Sequence, residues 1–337
     1  MKTVIFIVIG SLVLLYMIDK ADLVKPELPN DMIKIELESE SGSESIITFE
    51  SEKEKRKNEI YKSIFKSIKE INPLKTERVW TYIEITNENR NIQLSYQKMK
   101  IPVYFKKCIE LMKQNVPELI VLTPLNIKEY LPDFKFEMNH KSEIPLKLRV
   151  DILYASILEE YGGLCISPGT IVYNVDEALE KLKKYELITF GGNTRIGNCD
   201  NHLDFPNSYV IGSQKQSPFI QEYKRYLELL EKDTYLYNFK MSDDSDILSH
   251  LIGMLEPSQY HFGTEYDGTM NSRLERISLS DYLGTYEIDF QNKENLSVIT
   301  VPYDMLFNSK YKWFLNLSEE QFANSSLEIN RLLSKDI

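Results

Sequence analysis

The chain has 337 residues, 42% hydrophobic and 27% charged, enough to fold around a sizeable core as one large or two modest domains. Its formal net charge of −11 argues against nucleic acid as a main partner, because phosphate binding needs a concentrated basic surface. Its three cysteines, Cys108, Cys165 and Cys199, have no metal-ligand spacing, and an odd number excludes a complete disulfide framework.

Residues 3–18, TVIFIVIGSLVLLYMI, form an apolar run without a charge, preceded by Lys2. The run is slightly shorter than the ~20 residues of a typical span, so a cleaved signal peptide competes with a retained anchor. Asp19-Lys20-Ala21-Asp22 offers no small-x-small cleavage site, which favours the anchor. Residues 1–19 are therefore read as a transmembrane signal anchor. The positive-inside rule then puts the remainder on the lumenal or external face, a type II arrangement. Residues 20–51 are acidic, and ELESESGSES has little to bury, so the stretch reads as a flexible stem. Residues 52–73 carry Ile60, Ile64, Ile68 and Ile71 on one face, an amphipathic helix that docks on the domain or self-associates.

The folded domain is expected over residues 77–332. Arg78 to Ile85 alternates and is rich in β-branched and aromatic residues, which predicts the first strand. Pro102 opens a helix through Phe105, Ile109 and Met112, and Leu119–Leu122 is a fully apolar strand followed by a short helix near Lys128–Leu131. Pro145 suits a first helical turn, and Leu146, Val150, Leu153 and Ile157 recur at helical spacing, with Ile152 and Leu158 widening the stripe. Gly162-Gly163 stops that helix. The strand Leu164–Ile166, a Ser167-Pro168-Gly169 turn and the strand Thr170–Tyr173 follow. Further on come a helix over Val175–Lys184 and a strand over Glu186–Phe190. A polar loop leads to a strand at Ser208–Ile211, a helix from Pro218, and a helix starting at Ser242–Ser245. Cys108 and Cys165 lie on apolar segments and read as buried thiols. The alternation implies an α/β domain with a mostly parallel central sheet.

The stretch from Pro145 to Tyr173 resembles the sugar-transferase family that carries a DXD motif, the α-1,6-mannosyltransferase and capsular-polysaccharide-synthesis relatives. There a helix of the form S-D-x-x-R-x-x-x-L-x-x-x-GG precedes a strand ending in D-x-D. Aligned on Gly162-Gly163, Asp151 falls on the family's helix aspartate and Tyr154 on its arginine. Ser167 and Gly169 fall on the two metal-binding aspartates, with Pro168 between them. Trp80, Cys108-Ile109, Asn207 and Pro218 match weaker positions. His261-Phe262-Gly263-Thr264 and the tail SKYKWF-x-x-LSEEQ resemble a divergent branch known chiefly from large DNA viruses and their hosts, in which the DXD is often changed.

The resemblance implies a GT-A-like nucleotide-diphospho-sugar transferase fold, a nucleotide-sugar donor and a glycan or protein acceptor. It implies substrate contacts at Asp151, Tyr154, Gly162, Gly163, Ser167, Gly169 and Asn207. Family members bind Mn²⁺ or Mg²⁺ through the DXD carboxylates; a hydroxyl and a glycine supply too little charge for a hard cation, so a metal is disfavoured here. Asp200 and Asp204, or Asp243, Asp244 and Asp246, are candidate substitutes, against readings as exposed loop or helix cap. Arg195 or Lys215 is a candidate cation for a diphosphate, against a reading as surface base. Asp151 either binds a sugar or ribose hydroxyl or pairs with Arg149, Lys147 or a neighbouring helix. His140, His202, His250 and His261 form no ligand pattern, and no P-loop, dinucleotide fingerprint or Ser/His/Asp order is present. Two functional classes stay open: an active transferase with an altered or absent metal site, and a binding or structural protein that keeps the fold. The sequons at Asn295, Asn316 and Asn324 are candidate glycosylation sites if that part is lumenal.

Overall fold

The structure is a computed structural model. It describes residues 78–84, 101–116, 118–136, 144–195, 202–232, 251–263, 267–307 and 310–334, with Lys55, Glu59, Met138 and Leu248 as single positions. The expected anchor at residues 3–18, the stem, and nearly all of the 52–73 helix lie outside the described residues. Among the described residues no helix is long and apolar enough to cross a membrane.

A six-stranded sheet organises the domain, in the order β2 (Leu119–Leu122), β1 (Val79–Tyr82), β3 (Gly163–Ile166), β6 (His202–Ser213), β5 (Leu187–Arg195), β7 (Tyr260–Phe262). β1 pairs parallel with β2 and β3, and β5 pairs parallel with β7. β6 runs against both its neighbours. The sheet is thus mixed but mostly parallel, as the alternating pattern predicts. β4 (Ile171–Val172) and β8 (Val298–Ile299) form a separate two-stranded sheet.

The helices are α1 (Val103–Asn115), α2 (Ile127–Tyr130), α3 (Leu146–Tyr161), α4 (Asp176–Leu182) and α5 (Pro218–Lys232), then the short α6 (Leu279–Tyr282), α7 (Lys312–Leu315), α8 (Glu319–Ala323) and α9 (Glu328–Leu333). α3 is buried on every side from Leu146 to Leu158, wider than the stripe its apolar spacing suggests. It packs on β3, β6 and α5, so Lys147, Arg149 and Asp151 are enclosed with the apolar positions. Cys108 and Cys165 are buried free thiols, as expected, and burial raises the pKa of both.

β5 and β6 are much longer than their apolar cores suggested. Their hairpin runs from Phe190↔Asn207 out to Arg195↔His202, through residues that read as polar loop. Polar residues hold strand there because the backbone ladder itself continues, whatever the side chains are. Because Ile166 pairs with Val210, this extension carries the backbone past the carboxyl end of β3.

Gly162 and Gly163 close α3 and start β3 with φ of 69° and 105°. A Cβ on Gly163 would lie 2.3 Å from the Arg78 carbonyl oxygen, so the glycine lets β3 enter beside β1. Trp80 Nε1 donates to the Gly162 carbonyl at 3.1 Å and locks the same corner.

The β1–β3 ladder is short. Leu164 N–H donates to the Arg78 carbonyl at 2.8 Å, and pairing ends at Trp80↔Cys165. Parallel bonds advance two residues at a time, so the next rung would join Tyr82 N–H to the Ile166 carbonyl. The Tyr154 hydroxyl takes that place: it accepts from Tyr82 N–H at 3.1 Å and donates to the Ile166 carbonyl at 2.9 Å. One oxygen atom therefore satisfies both buried groups and holds the strand ends apart. Tyr154→Phe should leave both groups without a partner and cost roughly 2–4 kcal/mol, since each buried unsatisfied group costs about 1–3 kcal/mol. Urea denaturation with unchanged far-UV dichroism of the native state checks this; a loss below about 0.5 kcal/mol would show that the strands simply close.

Candidate functional site

The chain leaves β1 to one side to form β2 and returns on the other side to form β3. Open α/β sheets bind ligands at the carboxyl ends of strands where the order reverses in this way. A cleft lies there. Its floor is Tyr82, Ile83 and Glu84 after β1; Leu146 and Val150 of α3 and Phe105 of α1 form walls, and Pro168, Tyr303 and Phe307 close it. Apart from its open mouth, the space inside it is about that of one water molecule.

Two buried ion pairs stand behind it, each with its cation on the first turns of α3. Arg149 donates to Glu84 Oε2 at 2.7 Å, and the Tyr82 hydroxyl donates to the same oxygen at 2.9 Å. Lys147 Nζ bonds both oxygens of Asp151, at 2.8 and 2.7 Å, and the Ser208 hydroxyl donates to Asp151 Oδ1 at 2.9 Å. Side-chain exposure is 2% and 0% for Arg149 and Glu84, and 5% and 1% for Lys147 and Asp151. Of the alternatives for Asp151, the structure realises the pair with Lys147. Lys147 also lies 5.1 Å from the centre of the Tyr209 ring, and the Tyr209 hydroxyl donates to Asp304 at 2.8 Å.

Two buried polar atoms at the cleft have no hydrogen-bond partner among the described residues: Glu84 Oε1 and the Tyr303 hydroxyl. Burial pushes the Tyr303 hydroxyl well above the usual tyrosine range; the charges of Lys147, Asp304 and Asp151 are near enough to act on it as well. Neither Glu84 nor Tyr303 is signalled by sequence. Glu84 sits in a strand-like run, and what makes it notable is an arginine 65 residues away.

The positions read from the sequence divide by strand end. Ser167 and Gly169 follow the carboxyl end of β3. Ser167 N–H donates to the Tyr209 carbonyl at 2.7 Å, and Gly169 offers its carbonyl to the Tyr104 hydroxyl. Gly162 and Gly163 stand at the opposite end of β3, where they shape backbone and do not reach the cleft. Lys215 lies at that far end too, pairing with Glu160 at 3.7 Å on the surface. Tyr154 bridges β1 and β3 at the base of the cleft. Asp200 and Asp243, Asp244 and Asp246 lie outside the described residues. Asp204 and Arg195 are placed only by backbone, on the hairpin beyond the carboxyl end of β3. Their side chains are outside the described residues.

Asn207 leads to a second buried network. Its side-chain oxygen accepts from Tyr209 N–H at 3.0 Å, and its amide donates to Thr300 Oγ1 at 3.4 Å. Thr300 in turn donates to Asp267 at 3.1 and 3.0 Å, and the Thr269 hydroxyl donates to Asp267 Oδ2 at 2.5 Å. Burial pushes the Asp267 carboxyl up to about 7; hydrogen bonds from Thr269, Thr300 and the Gly191 backbone pull the other way.

Residues 96–245 match the family described as capsular polysaccharide synthesis protein. Among solved structures, the chain is similar to the PaToxG glycosyltransferase at 15% identity, covering 64% of this chain and 87% of that one, with a TM-score of 0.25. It is also similar to mouse xyloside xylosyltransferase 1 in its apo form, at 11% identity, covering 74% and 92%, with a TM-score of 0.33. No curated protein matches the chain.

The family's metal position does not fit a metal in this chain. Ser167 brings a hydroxyl and Gly169 no side chain. A Cβ at 169 would lie 2.5 Å from Tyr303 Cβ and 3.3 Å from Phe105 Cε1, so the space a carboxylate needs is taken. Among the described residues no three His, Cys, Asp or Glu side chains converge as metal ligands.

Two outcomes follow from this geometry. Restoring carboxylates with Ser167→Asp and Gly169→Asp should give no Mn²⁺ binding in titration calorimetry. Gly169→Asp alone should cost about 1–3 kcal/mol from overpacking against Tyr303. The second concerns pH. The Asp267 carboxyl titrates higher in the folded chain than in the unfolded one, so its contribution is fully present below about pH 4 and is lost as pH rises to about 7. Integrated over about three pH units, the difference is at most about 4 kcal/mol. Urea melts of wild type and Asp267→Asn from pH 4 to 8 isolate it, because the asparagine variant should lack this part of the slope. Parallel curves for the two proteins would contradict it.

Proposed function

We propose that the protein is a membrane-anchored glycosyltransferase-like enzyme of the GT-A type that takes a nucleotide-sugar in the switch-point cleft and delivers the sugar to a glycan or protein acceptor. The observation that carries this is the cleft at the reversal of strand order, behind which two buried polar atoms, Glu84 Oε1 and the Tyr303 hydroxyl, have no partner among the described residues. A buried polar atom left without a bond costs folding energy, and a ligand that satisfies it recovers that cost. The family match over residues 96–245 supports a sugar nucleotide as the ligand.

In this reading donor binding does not pass through a cation at Ser167 and Gly169. The chain's own part is to seat the donor against an apolar wall, orient it by Glu84 and Tyr303, and keep water from the covered face. The anchor at residues 1–19 would hold the domain on the lumenal or external side, including on a virus-associated membrane. Asn295, Asn316 and Asn324 are all at exposed positions, where glycans can be accommodated.

A second reading, a nucleotide-sugar or glycan-binding protein without transfer, is favoured by one observation. Both buried cations behind the cleft, Lys147 and Arg149, are matched by carboxylates, so this wall adds no net positive charge for a leaving diphosphate.

Titration calorimetry with UDP- and GDP-sugars, with Mn²⁺ and with EDTA, separates the readings when paired with an assay for released nucleoside diphosphate. We expect binding that changes less than about threefold on chelation, because the family's carboxylates are absent. Turnover under the same conditions supports the enzyme, and binding without turnover supports the second reading. Binding that requires Mn²⁺ would assign a metal to carboxylates outside the described residues, around Asp200 or Asp244. No binding by the folded protein would remove both readings.

A further inference from the structure

The cleft stands closed, and two of the side chains that close it come from one short element. Tyr303 and Phe307 belong to a single 3-10 turn, Tyr303–Phe307, and both line the space. Tyr303 packs edge-on against Phe105 at 6.3 Å and Tyr209 at 6.0 Å, and Phe307 stacks on Phe105 at 5.9 Å. Asp304 accepts from the Tyr209 hydroxyl at 2.8 Å. These contacts hold the turn in place, and two features oppose them. Glu84 Oε1 and the Tyr303 hydroxyl are buried with no partner among the described residues, and each regains a bond once water reaches it. Met305, in the middle of the turn, keeps 41% of its surface exposed, so it adds little burial to the closed form. A nucleotide-sugar cannot enter a space of about one water molecule. Donor binding therefore requires the turn to withdraw.

We propose, on the donor-binding reading above, that residues 303–307 are a built-in plug: Tyr303 and Phe307 fill the site in the resting chain, and the donor binds only the form in which the turn has withdrawn. A ligand that fits one of two states has its apparent affinity reduced by the fraction of chains in that state. Gly169 is the other half of the device. A Cβ there would lie 2.5 Å from Tyr303 Cβ, so the closed form has no room for a side chain at 169, whereas withdrawal of Tyr303 frees that space. Gly169 is not among the glycines with positive φ, so alanine adds no backbone strain of its own. A plug and a pocket wall then differ in sign. Trimming a wall loses contacts and weakens a ligand; disfavouring the plugged form strengthens it.

The test uses the full chain, UDP- and GDP-sugars in titration calorimetry, and amide hydrogen exchange. Gly169→Ala removes no side chain that a donor could touch, and it should tighten binding of the sugar nucleotide about 3–10-fold by raising the open fraction. Phe307→Ala should shift affinity in the same direction. In the wild-type protein, exchange of the amides of residues 303–307 should speed up when the donor is added, because the donor holds the turn away from Phe105 and Tyr209. Slower exchange there on donor addition would mark the turn as an ordinary wall and overturn the proposal without needing any variant to fold. Unchanged or weaker donor binding by folded Gly169→Ala would overturn it as well. Failure of every UDP- and GDP-sugar to bind the folded wild-type protein would instead overturn the donor-binding reading on which it rests.

Discussion

The Tyr154 hydroxyl is the constraint on which the cleft depends. Parallel strands that could continue to pair would seal the sheet at the point where the chain order reverses. By standing between Tyr82 N–H and the Ile166 carbonyl, Tyr154 lets β1 and β3 part while both backbone groups keep a bond. That allows Ile83 and Glu84 to leave the ladder on one side and Ser167 to turn on the other. The tyrosine occupies the position where the family resemblance has an arginine. A guanidinium at that depth would demand a charged partner or a ligand anion, whereas a neutral hydroxyl demands neither. Tyr154 thus supports the cleft from behind without bringing a charge to it.

The charges on α3 show a related economy. Lys147, Arg149 and Asp151 lie within five positions of one helix, and all three are buried. An unpaired charge at such depth would be strongly destabilising, and each cation has a carboxylate. Lys147 finds Asp151 one turn along its own helix; Arg149 reaches across to Glu84 at the end of β1. The first pair joins α3 to β6 through Ser208, and the second joins α3 to β1. The cleft wall is therefore held by polar contacts whose directions are fixed, set among side chains that are otherwise apolar.

Much of the architecture could be read from the chain, because it rests on local signals. The apolar spacing from Leu146 to Ile157, the Gly162-Gly163 stop and the apolar run at Leu119–Leu122 give elements that the structure places within a residue or two of the expected bounds. The Lys147–Asp151 pair was legible as one alternative because it is an i,i+4 contact. The polar half of the β5–β6 hairpin was not, since its strands hold through backbone pairing and lack apolar alternation. Glu84 and Tyr303 were not legible either. Their partners and neighbours come from 65 residues away in one case and from the opposite end of the domain in the other, and no spacing rule connects them.

Gly169 and Tyr303 are best understood as one packing unit. Without a side chain at 169, the segment that carries Tyr303 comes close enough for its Cβ to fill the space a Cβ at 169 would take, and Phe105 stacks against Phe307 beside it. The Tyr104 hydroxyl then caps the Gly169 carbonyl, which ties α1 to the same turn. A carboxylate at 169 and an aromatic wall from residues 303–307 are mutually exclusive in this arrangement. The glycine at 169 is therefore the condition under which the C-terminal segment closes the cleft and brings Tyr303 to it. The wall is made by Tyr82, Ile83, Glu84, Leu146, Val150, Tyr303 and Phe307 together, brought side by side from three distant parts of the chain.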